Sequence, residues 1–440
     1  MAFFAHRNTV ERMDLRSGRA TNVLGGVMAL VVFVVLAWVS LVANADKLHF
    51  MLQHGSDPYG YYQFLPATLG THQWNALPWT HELENGNRLG LFPMGTAILQ
   101  APFFYASAAY CALSGQSVEG YAPPFARGQI IAAAFYAAMG GLLLFHALRR
   151  RYGSTASMLS ALLVLTATNL FFYTVYDPGM SHAYAFFTMS AMVYLTFRML
   201  DDPTGRTLVL LIITCGLLVL IRPLHAVALL FPLLFGSPLK EALGLRIGWI
   251  SRFPLAVGVG VALTALLWTP QLIYWKAITG DLFVFTYGKK GEAFDWLHPH
   301  LVDVLLSHQN GWFIYSPLMA GVMLLLLWQA WKGTPGARLI LVIWTIVWYT
   351  YSSWWCWWLG GSFGHRGFVE YGALLALPLA WGMEQLLGAA RWRREVVLIL
   401  LAWLVVVNIR LSASYQWPWE GPDWNWDRLE EVYIKAVLPG

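Results

Sequence analysis

Residues 22–44 read NVLGGVMALVVFVVLAWVSLVAN, an uncharged apolar run longer than the roughly 20 residues a helix needs to cross a bilayer. Arg7, Arg12, Arg16 and Arg19 precede it, and basic residues favour the cytoplasmic side of a first span. Outward from there, similar runs recur near 128–148, 156–175, 183–199, 207–221, 223–236, 253–275, 312–331, 338–358, 368–388 and 395–411, which makes eleven candidate spans. Composition agrees: of 440 residues, 58% are hydrophobic and 12% charged, about half the charged share of a soluble chain. The reading is an all-α polytopic integral membrane protein with a single membrane domain over 1–440. It excludes a cytoplasmic enzyme, a secreted disulfide scaffold and a nucleic-acid binder. Cys111, Cys215 and Cys356 show neither a CxxC pair nor metal-ligand spacing and read as small apolar residues.

The stretch 91–113 is apolar as well, but counting it as a span would put Arg149-Arg150-Arg151 on the side opposite the basic N-terminus. With Pro93 and Pro102 also disfavouring a regular span, residues 93–113 are expected to form a juxtamembrane helix at the outer interface. The N-terminus is then cytoplasmic, in the plasma (inner) membrane, and three long segments lie outside: 45–126, 276–311 and the tail 412–440. Ala43-Asn44-Ala45 faintly resembles a signal-peptidase site, but the apolar core before it is longer than the 7 to 15 residues of a signal sequence, so an uncleaved anchor is expected. The Trp-rich stretches 354–358 and 417–426 fall at outer boundaries, where aromatic belts form. Chemistry should sit outside, enclosed between these segments and the bundle.

Ionisable residues are scarce in the middle of the spans and gather at their outer ends, which suits a reaction at the interface better than an ion path. In His54-Gly55-Ser56-Asp57-Pro58-Tyr59-Gly60-Tyr61-Tyr62 a single carboxylate stands among aromatic rings. Asp57 is a candidate general base; the alternative is that it only caps the helix entered at Pro58. Tyr176-Asp177-Pro178-Gly179-Met180-Ser181-His182 brings a carboxylate and an imidazole to one outer turn, or is merely a capped turn. In Trp358-Leu359-Gly360-Gly361-Ser362-Phe363-Gly364-His365-Arg366-Gly367-Phe368-Val369-Glu370, four glycines would let the backbone approach a ligand, and Arg366 offers a planar fork for a phosphate beside His365. The competing reading pairs Arg366 with Glu370 one helical turn on. Lys289, Lys290 and Arg127 are further outward cations, each also readable as an interfacial anchor. Arg222-Pro223, between two short spans, reads as a snorkelling arginine. His298-Pro299-His300 reads as loop. No cofactor is expected, and a metal held by Asp57, Asp177 and His182 is not favoured, since two carboxylates are few.

Taken in order, several pieces carry a resemblance. They are Ser56 to Tyr62 with its Asp57, Phe92-Pro93-Met94-Gly95, Ala101-Pro102, Ala126-Arg127 opening a span that ends in Arg149-Arg150-Arg151-Tyr152-Gly153, the turn with His182, Asn310-Gly311-Trp312-Phe313-Ile314-Tyr315-Ser316-Pro317, and the Trp-rich, Gly-rich segment 354–366. Together the chain resembles the GT-C superfamily of glycosyltransferases, in the branch of protein O-mannosyltransferases and lipid A aminoarabinose transferases. The resemblance implies transfer of a sugar from a polyprenyl-phosphate carrier to an acceptor on the extracytoplasmic side, usually with inversion. It makes Asp57 the base, and Arg366, with His365, Lys289, Lys290 or Arg127, the ligands of the departing phosphate. Tyr61, Tyr62 and Trp354, with Asp177, His182 and Glu370, are the candidate contacts of sugar or acceptor. Asp57 is followed by Pro58, where many relatives carry a second acid, and no large soluble domain follows the last span. Both departures favour a lipid-linked or glycan acceptor over a protein. The partners expected are therefore the donor lipid, that acceptor and membrane lipids, without nucleic acid. A transporter or flippase for lipid-linked sugars, a glycan polymerase or ligase, and a non-catalytic scaffold are the rival readings.

Overall fold

The computed structural model describes residues 15–236, 238–416 and 419–438, with side chains from Asn22 onward. Arg7, Arg12 and Trp417, and the side chains of Arg16 and Arg19, lie outside the described residues. Among the described residues the regular elements are helices joined by loops, with one small hairpin. The first span is α1 (Leu15–His54), followed by two short helices, α2 (Asp57–Tyr62) and α3 (Phe64–Thr68). A hairpin of β1 (Thr80–Glu82) and β2 (Arg88–Gly90) pairs antiparallel with His81 opposite Leu89, an element that the helical periodicity did not suggest. Then come α4 (Gly95–Ser114), α5 (Pro123–Leu148), α6 (Ser154–Thr166), α7 (Leu170–Val175), α8 (His182–Asp201) and α9 (Gly205–Ile221). A 3-10 turn at Pro223–Leu229 leads into α10 (Leu230–Leu234), and α11 (Leu239–Arg252) turns away from that pair by 91°. Next is α12 (Pro254–Thr279), then the short α13 (Thr286–Lys289), α14 (Asp303–Leu306) and α15 (Trp312–Tyr315). The chain continues through α16 (Pro317–Trp331), α17 (Ala337–Ser352), α18 (Gly372–Leu387), α19 (Arg391–Ser414) and α20 (Trp426–Val437).

Among the described residues six helices are long and apolar enough to cross a membrane, α1, α4, α5, α8, α12 and α19, or seven if the bent stretch around α10 and α11 is one span. Five shorter apolar helices, α6, α9, α16, α17 and α18, complete the bundle. The length criterion admits α4, yet both its ends lie on the Asp57 side. Its first turn packs on the backbone of Leu220 and Ile221 beside Arg222. Its last turn leads to Gly120 and Tyr121, whose carbonyls accept hydrogen bonds from Tyr62 (2.6 Å) and Gln53 (3.0 Å).

Where a helix is interrupted inside an apolar bundle its freed carbonyls need donors, because no water is at hand to replace the lost bonds. At the break between α6 and α7, Asn408 of α19 donates to the carbonyls of Thr166 (2.9 Å) and Thr168 (3.0 Å), and the Asn169 amide donates to the Ser316 hydroxyl (3.0 Å). At the other end of α7, Ser40 and Asn44 of α1 both donate to the Val175 carbonyl (2.7 and 2.5 Å). These buried polar contacts fix the turn 176–181 against α1.

Candidate active site

Four segments far apart in sequence meet at that turn. Ser56 caps α2, its hydroxyl accepting from the Tyr59 amide, so Asp57 is not the cap. Its carboxylate is free to point across the bundle, where Oδ2 accepts from Nη1 of Arg366 at 2.7 Å. The two side chains stay partly open, 31% and 20% exposed respectively. Arg366 therefore does not pair with Glu370. Glu370 is fully buried, and its oxygens meet His182 Nδ1 (3.0 Å) and His225 Nε2 (2.6 Å), with Arg222 Nη1 at 3.8 Å.

Arg222 is where the sequence reading needs its main correction. It does not snorkel. The backbone leaves α9 in an extended conformation at Arg222, and the guanidinium turns inward, Nε donating to the Ser181 hydroxyl (3.1 Å) and Nη2 lying near Tyr61 Oη (3.4 Å) and His182 Nε2 (3.3 Å). A signal was present: at the end of a span that the charge pattern reads as outer, an arginine runs against the bias that places such residues inside. Glycine makes room for it, since a Cβ on Gly95 would stand 2.5 Å from the Ile221 nitrogen.

Aromatic rings form one wall. Tyr61 stacks on Phe92 (4.2 Å), Phe92 meets Tyr287 (6.3 Å), and Tyr287 meets Trp354 edge-on (5.6 Å). The second long loop is pinned there by backbone bonds from Asp295 to Ser353 and from His300 to Ser352, both 2.7 Å. Asp177 lies between charges of both signs. Burial raises its pKa from 3.8 to about 6, Lys47 and Arg366 pull it down, and Asp57 pushes it up; its Oδ1 has no hydrogen-bond partner.

Other candidates fall elsewhere. His365 is buried, its Nε2 on the Trp357 carbonyl at 3.0 Å and its ring 4.7 Å from Phe368. Burial lowers its pKa to about 3, so it is a neutral scaffold residue and no phosphate ligand. The glycines around it serve packing: Cβ atoms on Gly364 and Gly367 would meet Tyr315 (2.7 Å) and Tyr351 (2.4 Å). Tyr62 is sealed, its hydroxyl spent on Gly120. His182 and Glu370 are fully buried, which removes them as direct contacts of sugar or acceptor. Lys290 pairs with Glu292 (2.5 Å), while Lys289 and Arg127 are exposed and make no ion pair with the Asp57 cluster. His298 and His300 sit in the loop against Asp295 and Asp303. No group of three or more His, Cys, Asp and Glu side chains among the described residues is placed to hold an ion.

Neither a protein-family model nor a curated protein matches the sequence. Among solved structures the chain is similar to ArnT from Cupriavidus metallidurans bound to undecaprenyl phosphate, with a TM-score of 0.50 and 14% identity, covering 94% of this chain and 74% of that one. The two chains share a fold. The oligosaccharyltransferase of Archaeoglobus fulgidus, in the apo form, superposes with a TM-score of 0.46 at 14% identity. Its complex with an inhibitory peptide and a dolichol-phosphate gives 0.45 at 15%. Both alignments cover 94% of this chain and 60% of the archaeal enzyme. At such identity the likeness is one of architecture, and any chemistry has to come from the site itself.

Proposed function

We propose that the protein is a membrane glycosyltransferase that moves a sugar from a polyprenyl-phosphate carrier to a hydroxyl of a lipid-linked or glycan acceptor. The reaction takes place on the extracytoplasmic side of a bundle that crosses the membrane eleven times. The observation that carries this reading is the pairing of a partly open carboxylate, Asp57, with Arg366 at 2.7 Å, together with a second guanidinium, Arg222, whose Nη2 lies 3.4 Å from Tyr61 Oη. Glycosyl transfer asks for those two functions side by side. A base takes the proton of the acceptor hydroxyl as its oxygen bonds to the anomeric carbon, and cations stabilise the phosphate as the bond from that carbon to the phosphate oxygen breaks.

In the resting enzyme Arg366 and Asp57 neutralise each other. A donor phosphate competes for Arg366, and as it takes that guanidinium, Asp57 is released to accept a proton. The base is thereby armed only when a donor is bound. Attack from the side opposite the phosphate inverts the anomeric centre, and the half-buried Trp354 offers a ring on which sugar or isoprenoid can stack.

The test is to incubate purified protein with a panel of polyprenyl-phosphate sugars and acceptors, comparing wild type with Asp57→Asn and following the anomeric configuration by NMR. Transfer by wild type, at least ~100-fold lower in the variant, supports the reading. Equal turnover by both removes Asp57 from its role, and no transfer from any donor abandons the glycosyltransferase.

A further inference from the structure

We infer that Glu370 is a positioning residue for the carrier phosphate, acting through His182 on Arg222; this rests on the proposed reading of Arg222 as a phosphate ligand. The hydrogen-bond inventory fixes the directions. A guanidinium only donates, so at the 3.3 Å contact with Arg222 the His182 Nε2 accepts. The proton of His182 is then on Nδ1, where it is donated to Glu370 Oε2 at 3.0 Å. Arg222, His182 and Glu370 thus form one directed chain from guanidinium through neutral imidazole to carboxylate.

The second histidine is held differently. His225 Nδ1 faces the Leu218 carbonyl at 3.1 Å and Nε2 faces Glu370 Oε1 at 2.6 Å. Each nitrogen of the His225 ring thus meets an oxygen, and the ring is held from both sides. Glu370 is therefore locked between two buried rings and cannot reach a substrate. The two acids divide the work: the open one is free to react, and the sealed one holds a 16%-exposed guanidinium in a fixed plane before any ligand arrives.

The experiment measures binding of undecaprenyl phosphate, with uncharged undecaprenol as reference, to purified wild type, Glu370→Gln, Arg222→Gln and the double variant in detergent, by intrinsic tryptophan fluorescence. Expected is weakening of about tenfold or more for the phosphate in each single variant, no further loss in the double variant, and no change for the alcohol. His182→Phe, which keeps a ring and breaks the chain, should match Glu370→Gln and serves if that variant does not fold. Wild-type affinity in Glu370→Gln or His182→Phe, additive loss in the double variant, or equal loss for the alcohol overturns the inference while leaving Arg222 as a phosphate ligand. Failure of the wild type to bind the phosphate more tightly than the alcohol overturns both. Phosphate binding without any glycosyl transfer sinks the glycosyltransferase reading alone.

Discussion

The two ends of the bundle carry the same residue types and use them differently. At the end near the N-terminus of α1, Asp201 receives Arg150 Nη1 at 2.8 Å and Arg151 Nη2 at 2.9 Å, and Arg151 also lies over the Phe197 ring at 4.5 Å. At the opposite end Asp57 receives one guanidinium nitrogen of Arg366. Exposure does not separate them, since Asp201 is 22% exposed and Asp57 31%. Saturation does. Asp201 has both oxygens occupied by two arginines, so nothing remains for a ligand, whereas Asp57 keeps an oxygen free and a second guanidinium stands near. A charged cluster anchors when its valences are filled within the protein and reacts when they are not.

The largest expected effect tests that contrast directly. Asp57→Asn should lower the transfer rate by a factor of ~10²–10⁴ with an unchanged melting temperature. Asp201→Asn should leave the rate unchanged and cost at most ~1 kcal/mol of stability. Initial rates and melting curves on both variants decide, and equal loss of activity in the two would erase the distinction.

Next in size are the cations. Arg366→Gln and Arg222→Gln should each lower kcat/KM by ~10²–10³, the range for a preorganised charge facing a leaving anion. Lysine at either position should restore little, because the inward donors of Arg222 are used in fixed directions that an ammonium cannot match. A lysine variant at Arg222 with full activity would show that charge alone suffices there.

Fold and site were not equally legible in the sequence. Spans are written as composition, and the 3.6-residue helix needs nothing more than a long apolar run to hide its backbone. Asp57 and Arg366 could be singled out because each stands in a polar, glycine-containing segment between apolar runs, which no span requires. Their meeting, across 309 positions, is a matter of packing that local sequence does not encode. Arg222 was misread because a lone arginine at a helix end has a cheap local explanation, and only the directions of Ser181, Tyr61 and His182 replace it. For Glu370, a candidate contact of sugar or acceptor, the competing reading by helical spacing makes it a partner of Arg366. A 3-10 turn at 366–368 breaks that spacing and sends the carboxylate inward instead.

A smaller effect follows from how closely α4 meets α9. Gly95→Ala sets a methyl against Leu220 and Ile221, whose backbone has nowhere to retreat, and should cost ~1–3 kcal/mol. It should also reduce transfer, because the displaced backbone carries Arg222. Gly244→Ala on α11, where a Cβ meets nothing within 4 Å, should instead stabilise by ~0.5–1 kcal/mol with activity untouched. Melting curves and rates on the pair check whether activity tracks the placement of Arg222 or stability in general.

The smallest effect is in pH. Burial holds the Asp177 carboxyl at about 6 in the folded chain against 3.8 in the unfolded one, so between those values the folded state keeps a proton that the unfolded state has released. Stability from this group is therefore present at pH 4 and lost as the pH rises through 6, the reverse of a carboxylate held by an ion pair. The melting temperature of wild type should fall by ~1–2 °C from pH 5 to pH 7.5 relative to Asp177→Asn. The difference between the two curves is the informative quantity, because other acids contribute equally to both. Parallel curves would mean that Asp177 is already ionised beside Lys47 and Arg366. The turn 176–181 would then bring a third negative charge to the site, beside Asp57 and Glu370, and Lys47 would be the cation that offsets it.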